Sequence, residues 1–250
     1  CMVGGSLACA GAAYQGVFQN PMAAPDILGA SSGAAFGAAL AILLHLSGTW
    51  IMVLAFCGSI ATVILVMFVA ARAKGKRVLG LILAGIMVSS LISSGTSLIK
   101  LVADPEDQLP AITYWLMGSL NGTSPADVWF ALLPMAVGFL PLYLLRWRMN
   151  LLPLSEDEVQ SSGVNISVLR GITVVCATMI TASCVSMCGQ VGWVGLLIPH
   201  MCRMKFGSNH LSLLPASISF GAAFLIIVDT VARSASAQEI PISILTAIIG

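Results

Sequence analysis

The chain has 250 residues, 58% of them hydrophobic and only 8% charged, with a formal net charge of +1. A soluble domain carries roughly 25% charged residues, so this chain cannot cover itself in water, and its mean hydropathy of +0.99 marks an all-α polytopic membrane protein. No basic patch is large enough to hold a nucleic acid duplex.

The chain opens on CMVGGSLACAGAAYQG, without an initiator Met or a charged leading region. It is not a signal peptide and reads as the remainder of a membrane helix that ends near residue 18. A crossing helix needs about 20 apolar residues. The uncharged run 27–71 is too long for one such helix, and HLSGTW at 45–50 is predicted to divide it into two spans. Residues 78–102 and 128–145 give one span each. Between them LPAITYWLMGSLNG, 109–122, is too short to cross, and its Tyr114 and Trp115 suit an interfacial or re-entrant helix.

Next comes the one sizeable polar island, 146–170, which holds Arg146, Arg148, Glu156, Asp157, Glu158 and Arg170. Beyond it 171–202 is uncharged and broken at Gly189-Gln190-Val191-Gly192. The second piece, 193–206, is too short to span alone in lipid and must sit against other helices. Residues 211–233 form a further span, and 241–250 begin the last. Both chain ends thus fall inside apolar runs and read as truncated.

Basic loops face the cytoplasm. Arg72, Lys74, Lys76 and Arg77 form one such loop, Arg146, Arg148 and Arg170 flank the island, and Arg203 and Lys205 mark a third site. The intervening loops lack Lys and Arg, and ADPEDQ at 103–108 is acidic. The island is therefore cytoplasmic, where a soluble partner can grip it.

Gly29, Gly33 and Gly37 recur every fourth residue and predict a close helix–helix approach. The seven cysteines lie almost wholly in apolar runs. Cys184 and Cys188 are one turn apart, but no third ligand stands at metal spacing, and they read as small core residues. There is no G-x-x-x-x-G-K-[ST], so any ATP must be held by a partner. Gly29-Ala30-Ser31-Ser32-Gly33 matches G-x-S-x-G in form, and with His200 it raises an intramembrane hydrolase. It opens an Ala/Gly helix, however, and no carboxylate stands ready to orient His200. Asp229 and Arg233, four apart, can form an internal pair or present Arg233 to an acidic partner outside.

Five passages resemble, in order, the FecCD-like permease subunits of ATP-binding-cassette importers for iron–siderophores, haem and cobalamin. They are QGVFQNPMAAPDILGASSGAAFG (15–37), ILAGIMVSSLISS (82–94) with WLMGSLNG (115–122), NLLPLSEDEVQSSGVNI (150–166), GQVGWVGLLIPHMCRM (189–204) and VDTVARSASAQEIPISILTAIIG (228–250). The resemblance implies a single permease domain over 1–250 with a ten-helix fold. The first helix, the beginning of the second and most of the tenth are then expected to lie outside this chain. It also implies a homodimer or pseudodimer in a bacterial cytoplasmic membrane, ATPase subunits that carry the ATP, and an extracytoplasmic substrate-binding protein. No cofactor is expected on the chain itself, and no residue is expected to make or break bonds.

By the same resemblance, 150–167 forms coupling helices for the ATPase, with Glu156, Glu158, Ser162, Gly163 and Val164 on the family's motif. Asn20, Pro21 and Met22 correspond to a loop at the cytoplasmic gate, and Arg233 to a residue that docks the binding protein. Pro199-His200 is read as a helix break and polar tie. The alternative to an importer subunit is a secondary transporter driven by an ion gradient, which would need ion-coordinating carboxylates or broken helices at the midplane.

Overall fold

A computed structural model of the chain describes residues 1–73, 77–154, 163–234 and 240–249, with the backbone alone for Arg77. Ten α-helices lie among the described residues: α1 (Met2–Phe18), α2 (Ala30–Leu43), α3 (Gly48–Arg72), α4 (Arg77–Val102), α5 (Gln108–Met117), α6 (Pro125–Leu145), α7 (Ile166–Cys188), α8 (Val194–Phe206), α9 (His210–Ser234) and α10 (Ile242–Ile249). Two 3-10 turns, Pro25–Leu28 and Arg148–Leu151, complete the ordered elements. Of these, α3, α4, α6, α7 and α9 are long and apolar enough to cross a bilayer.

The core forms around α1 and α7. The most apolar stretch of α7 is 72% buried, against 17% for α4 and 22% for α6, so α7 faces protein while α4 and α6 turn Leu, Ile, Met and Trp side chains outward. Nearly every residue of α1 is buried. Three buried hydroxyls of α7 are satisfied within their own helix: Thr173, Thr178 and Thr181 each donate to the carbonyl four residues back. With its hydrogen given to Val174, the Thr178 hydroxyl accepts from the Tyr14 hydroxyl at 2.7 Å, which ties α1 to α7. Lipid tails offer no hydrophobic drive between helices, so close backbone approach takes its place. A Cβ at Gly33 or Gly37 would overlap the Gly58 or Leu54 carbonyl oxygen of α3, as the Gly29/Gly33/Gly37 spacing predicts.

The run 27–71 does divide in two, but its first half is not a span. The 14 residues of α2 reach only about 21 Å at 1.5 Å per residue, short of the roughly 30 Å hydrocarbon core. The helix starts near mid-membrane: a Cβ at Gly29 would stand 3.1 Å from Thr62 Cγ2 and overlap Ser89 Oγ, and the Ile27 carbonyl abuts Gly85. Those residues lie close to the middles of α3 and α4. Pro25 and the left-handed Gly29 (φ 74°) bracket the turn, and Asp26 Oδ1 accepts from Ser31 N–H at 3.2 Å. Apolar composition hid this break, because the turn itself is short and largely uncharged.

Pro199 does not break its helix either; α8 runs through it from Val194 to Phe206. Lacking an N–H, Pro199 leaves the Gly195 carbonyl without its helical partner, and that oxygen abuts Gly11, where a Cβ would collide with it. His200 supplies no tie through Nδ1, which is buried and unpartnered. The island also ends earlier than the charges suggest. Asn165 Oδ1 accepts from Ser167 and Val168 N–H at 3.0 and 3.2 Å, an N-cap that starts α7 at Ile166. Ile166 and Ser167, expected in the coupling segment, and Arg170, expected in water, therefore belong to α7, and Arg170 is only 9% exposed.

Candidate functional site

The two ends of the bundle can be told apart from the contacts. At one end Arg72, Arg146, Arg148, Arg203 and Lys205 gather, which marks it as cytoplasmic; Lys100 and Arg233 lie at the other. Arg203 and Lys205 also fall in the last turn of α8, where cations oppose the helix dipole. At the outer end α5 and the loops beside it bond to the ends of α2 and α7. Ser119 N–H donates to the Cys188 carbonyl and Ile242 N–H to the Gly118 carbonyl. Gln108 joins the Leu43 carbonyl and His45 Nε2 at 3.1 and 2.9 Å. α5 thus lies as the short, non-crossing helix that its length requires.

At the cytoplasmic end three segments meet: the close of α1 with 19–22, the turn Arg148–Leu151 with 152–154, and the α8–α9 junction. Gln19 adopts a left-handed conformation (φ 52°) that ends α1. Its Nε2 donates to the Leu152 carbonyl at 2.8 Å. The next residue, Asn20, folds its own loop by accepting from Met22 N–H at 2.9 Å. Gln15, buried one turn earlier, donates to the Leu196 carbonyl at 3.1 Å and accepts from Arg203 at 3.4 Å.

Asn150 is the hub of the second junction. Its Nδ2 donates to Asn209 Oδ1 at 2.8 Å, and its Oδ1 accepts from His210 N–H at 2.8 Å and faces His210 Nδ1 at 3.0 Å. Since Oδ1 can only accept, this network assigns the His210 ring proton to Nδ1. His210 is 2% exposed, and its Nε2 rests against Gly16, where a Cβ would stand 2.7 Å away. A cavity of about 730 Å³ opens between these segments, walled by Gln15, Gln19, Asn20, Asn150, Arg203 and His210.

The residues singled out in the sequence fall around this end and its opposite. Asn20, Pro21 and Met22 are exposed beside the cavity, with Met22 57% exposed. Gly163 is exposed in a left-handed turn (φ 70°), and Val164 packs against the main core. Glu156, Glu158 and Ser162 lie outside the described residues. Arg233, at the outer end of α9, forms the i,i+4 pair: its Nε donates to Asp229 Oδ2 at 3.0 Å. Ser31 sits in the first helical turn of α2, not on a strand-to-helix elbow. Sequence reasoning missed Gln19, Asn150, Asn209 and His210. The available signal was polar side chains with local turn chemistry, Asn150 and Asn209, each beside a chain break.

The FecCD transport family model matches residues 1–250. The chain belongs to the FecCD transport family. It is 41% identical to the molybdate import system permease protein MolB of Haemophilus influenzae over 99% of this chain and 74% of that one. It is 39% identical to the cobalamin import system permease protein BtuC of Halobacterium salinarum over 99% of this chain and 67% of that one. A solved structure described as an inward-facing conformation of a metal-chelate type ABC transporter matches with a TM-score of 0.95 at 40% identity, covering 100% of this chain and 80% of that one. This FecCD chain is accordingly the permease subunit of an ABC importer, a multi-pass protein of the inner membrane. It is a transport component rather than an enzyme, and its family implies ATPase and permease partners.

Proposed function

We propose that this permease moves a metal chelate of the iron–siderophore, haem or cobalamin type inward, driven by ATP bound on its partner subunits. The observation that carries the reading is the cytoplasmic junction. The Gln19–Leu152 bond and the Asn150–His210 cluster join the start of the polar island to the loop Asn20-Pro21-Met22 and to α9. In this reading Glu156, Glu158, Ser162, Gly163 and Val164 seat the ATPase, and a push on the island reaches the gate loop through Gln19. ATP binding favours one packing of two permease copies over the other, since a ligand shifts an equilibrium only by its differential affinity. Arg233, held in place by Asp229, meets an acidic group of an extracytoplasmic binding protein.

The names of the relatives support a chelate and also admit molybdate, so the test carries both. The complete subunit is reconstituted in liposomes with its ATPase and binding-protein partners, and uptake of haem, ferric siderophore, cobalamin and molybdate is followed. ATP-dependent uptake of one chelate, lost in Glu158→Arg while the permease still folds, is the expected result. Uptake of molybdate alone would replace the chelate. Uptake driven by an ion gradient and indifferent to ATP would favour a secondary transporter, a reading to which the broken α2 lends its one structural feature.

A further inference from the structure

We infer that the turn carrying Asp26 forms the wall of the aqueous substrate path at mid-membrane, with the Asp26 carboxylate open to the cargo. Three observations converge. First, Gly29 and Ile27 lie against residues near the middles of α3 and α4, so Asp26 stands at the depth where a charge facing lipid is least tolerated. Yet Asp26 is exposed, and the side-chain contact shown for its carboxylate is the Ser31 N–H at 3.2 Å. Second, residues 19–29 run from the cytoplasmic end to this depth as turns and irregular chain, with Asn20, Pro21, Met22 and Asp26 exposed along them. Non-helical backbone at membrane depth persists only inside protein or beside water.

Third, the wall continues outward through polar and strained groups. Gln190 Nε2 donates to the Ser31 carbonyl at 3.4 Å. Trp193, 46% exposed, holds φ 66° in a tight turn closed by Val194 N–H on the Gly192 carbonyl at 2.8 Å. A bulky residue in that conformation is a costly arrangement that clusters at functional sites. The faces of α3 and α6, by contrast, present Ile64 and Leu133, which suit lipid. A carboxylate in this wall accepts hydrogen bonds from amide, hydroxyl or cationic groups on a passing chelate and repels bare anions.

The inference rests on the transport reading, but its test does not need transport. Asp26→Cys and, separately, Ser31→Cys are assembled with the ATPase in liposomes and treated with a cationic methanethiosulfonate reagent. Modification is read by peptide mass against Cys57, an exposed cysteine among the apolar residues of α3. A charged reagent must enter hydrocarbon to reach Cys57, so the expected ratio is about 100-fold in favour of position 26. Bound cargo should slow that modification. Modification at 26 and 31 no faster than at Cys57 would overturn the inference and assign this face to lipid or to a second copy. Fast modification without ATP-dependent uptake would leave the wall standing and overturn only the importer reading.

Discussion

A single amide, that of Asn150, holds together the densest polar cluster at the cytoplasmic end. Truncation in Asn150→Ala leaves two His210 donors, the backbone N–H and Nδ1–H, unmatched in a site that is 2% exposed. Each buried donor left unpaired costs about 1–3 kcal/mol, so a loss of about 2–6 kcal/mol is expected for the two, read as a lower Tm in detergent. Asn150→Asp keeps the acceptor for both His210 donors and sets a carboxylate oxygen in place of the donor to Asn209 Oδ1, a solvent-reachable contact at the cavity rim, so it should cost less than the truncation. Equal losses in the two variants would mean that the His210 bonds are not the source. None of this was legible from periodicity. His210 reads as the first polar residue before a span, and only the fold brings it to a residue 60 positions away. Gln19 is similar: its four-residue spacing from Gln15 puts both on one face of α1, but not what that face meets.

Among the elements, the long apolar spans and the short α5 were legible in the sequence, whereas the half-length of α2 was not. The limits of α3, α4 and α9 follow charge and hydropathy closely. α6 starts three residues before the predicted 128, at a capping box that the sequence reading did not use: Ser124 Oγ accepts from Asp127 N–H at 3.3 Å and Asp127 Oδ2 from Ser124 N–H at 2.8 Å. Pro134 and Pro141 do not interrupt that helix, because neighbouring groups in a bundle relieve freed carbonyls. The half-length of α2 and the continuity of α8 were misread because both depend on tertiary contacts. Gly11 tests the second. Gly11→Ala sets a methyl against the Gly195 backbone, which cannot yield as a side chain would, and should cost about 1–3 kcal/mol as overpacking. Gly171→Ala is the counterpart. It meets nothing within 4 Å on α7 and should stabilise the isolated subunit by about 0.5–1 kcal/mol. Thermal unfolding of both variants checks the pair, and matching shifts would contradict the packing of α1 on α8.

For the whole molecule, the proposed function makes charge the feature that tells the two ends apart for their partners. Arg233 is 46% exposed at the outer end, where it pairs with Asp229. A rim charge governs encounter more than residence, so Arg233→Glu should slow association of the binding protein by about 10-fold at low salt. The difference should shrink as salt shortens the Debye length. Stopped-flow association at two ionic strengths measures it, and an unchanged rate would remove Arg233 from the docking surface. The family itself was legible because five motifs keep their order over nearly the whole chain. The sequence could not reveal depth, since hydropathy counts apolar residues and does not record where a segment turns back.

That depth has an electrical meaning. A turn at mid-membrane that stands in water from the cytoplasm carries the cytoplasmic potential up to the start of α2. On the inference drawn for Asp26, the transmembrane voltage falls across the outer half of the protein, beyond the start of α2. A charge between the cytoplasm and Asp26 feels little field, whereas one that crosses the outer seal feels most of it, about 2 kcal/mol per 100 mV for each elementary charge. The cost of moving a charged cargo is thereby concentrated into one step, across the outer half of the membrane.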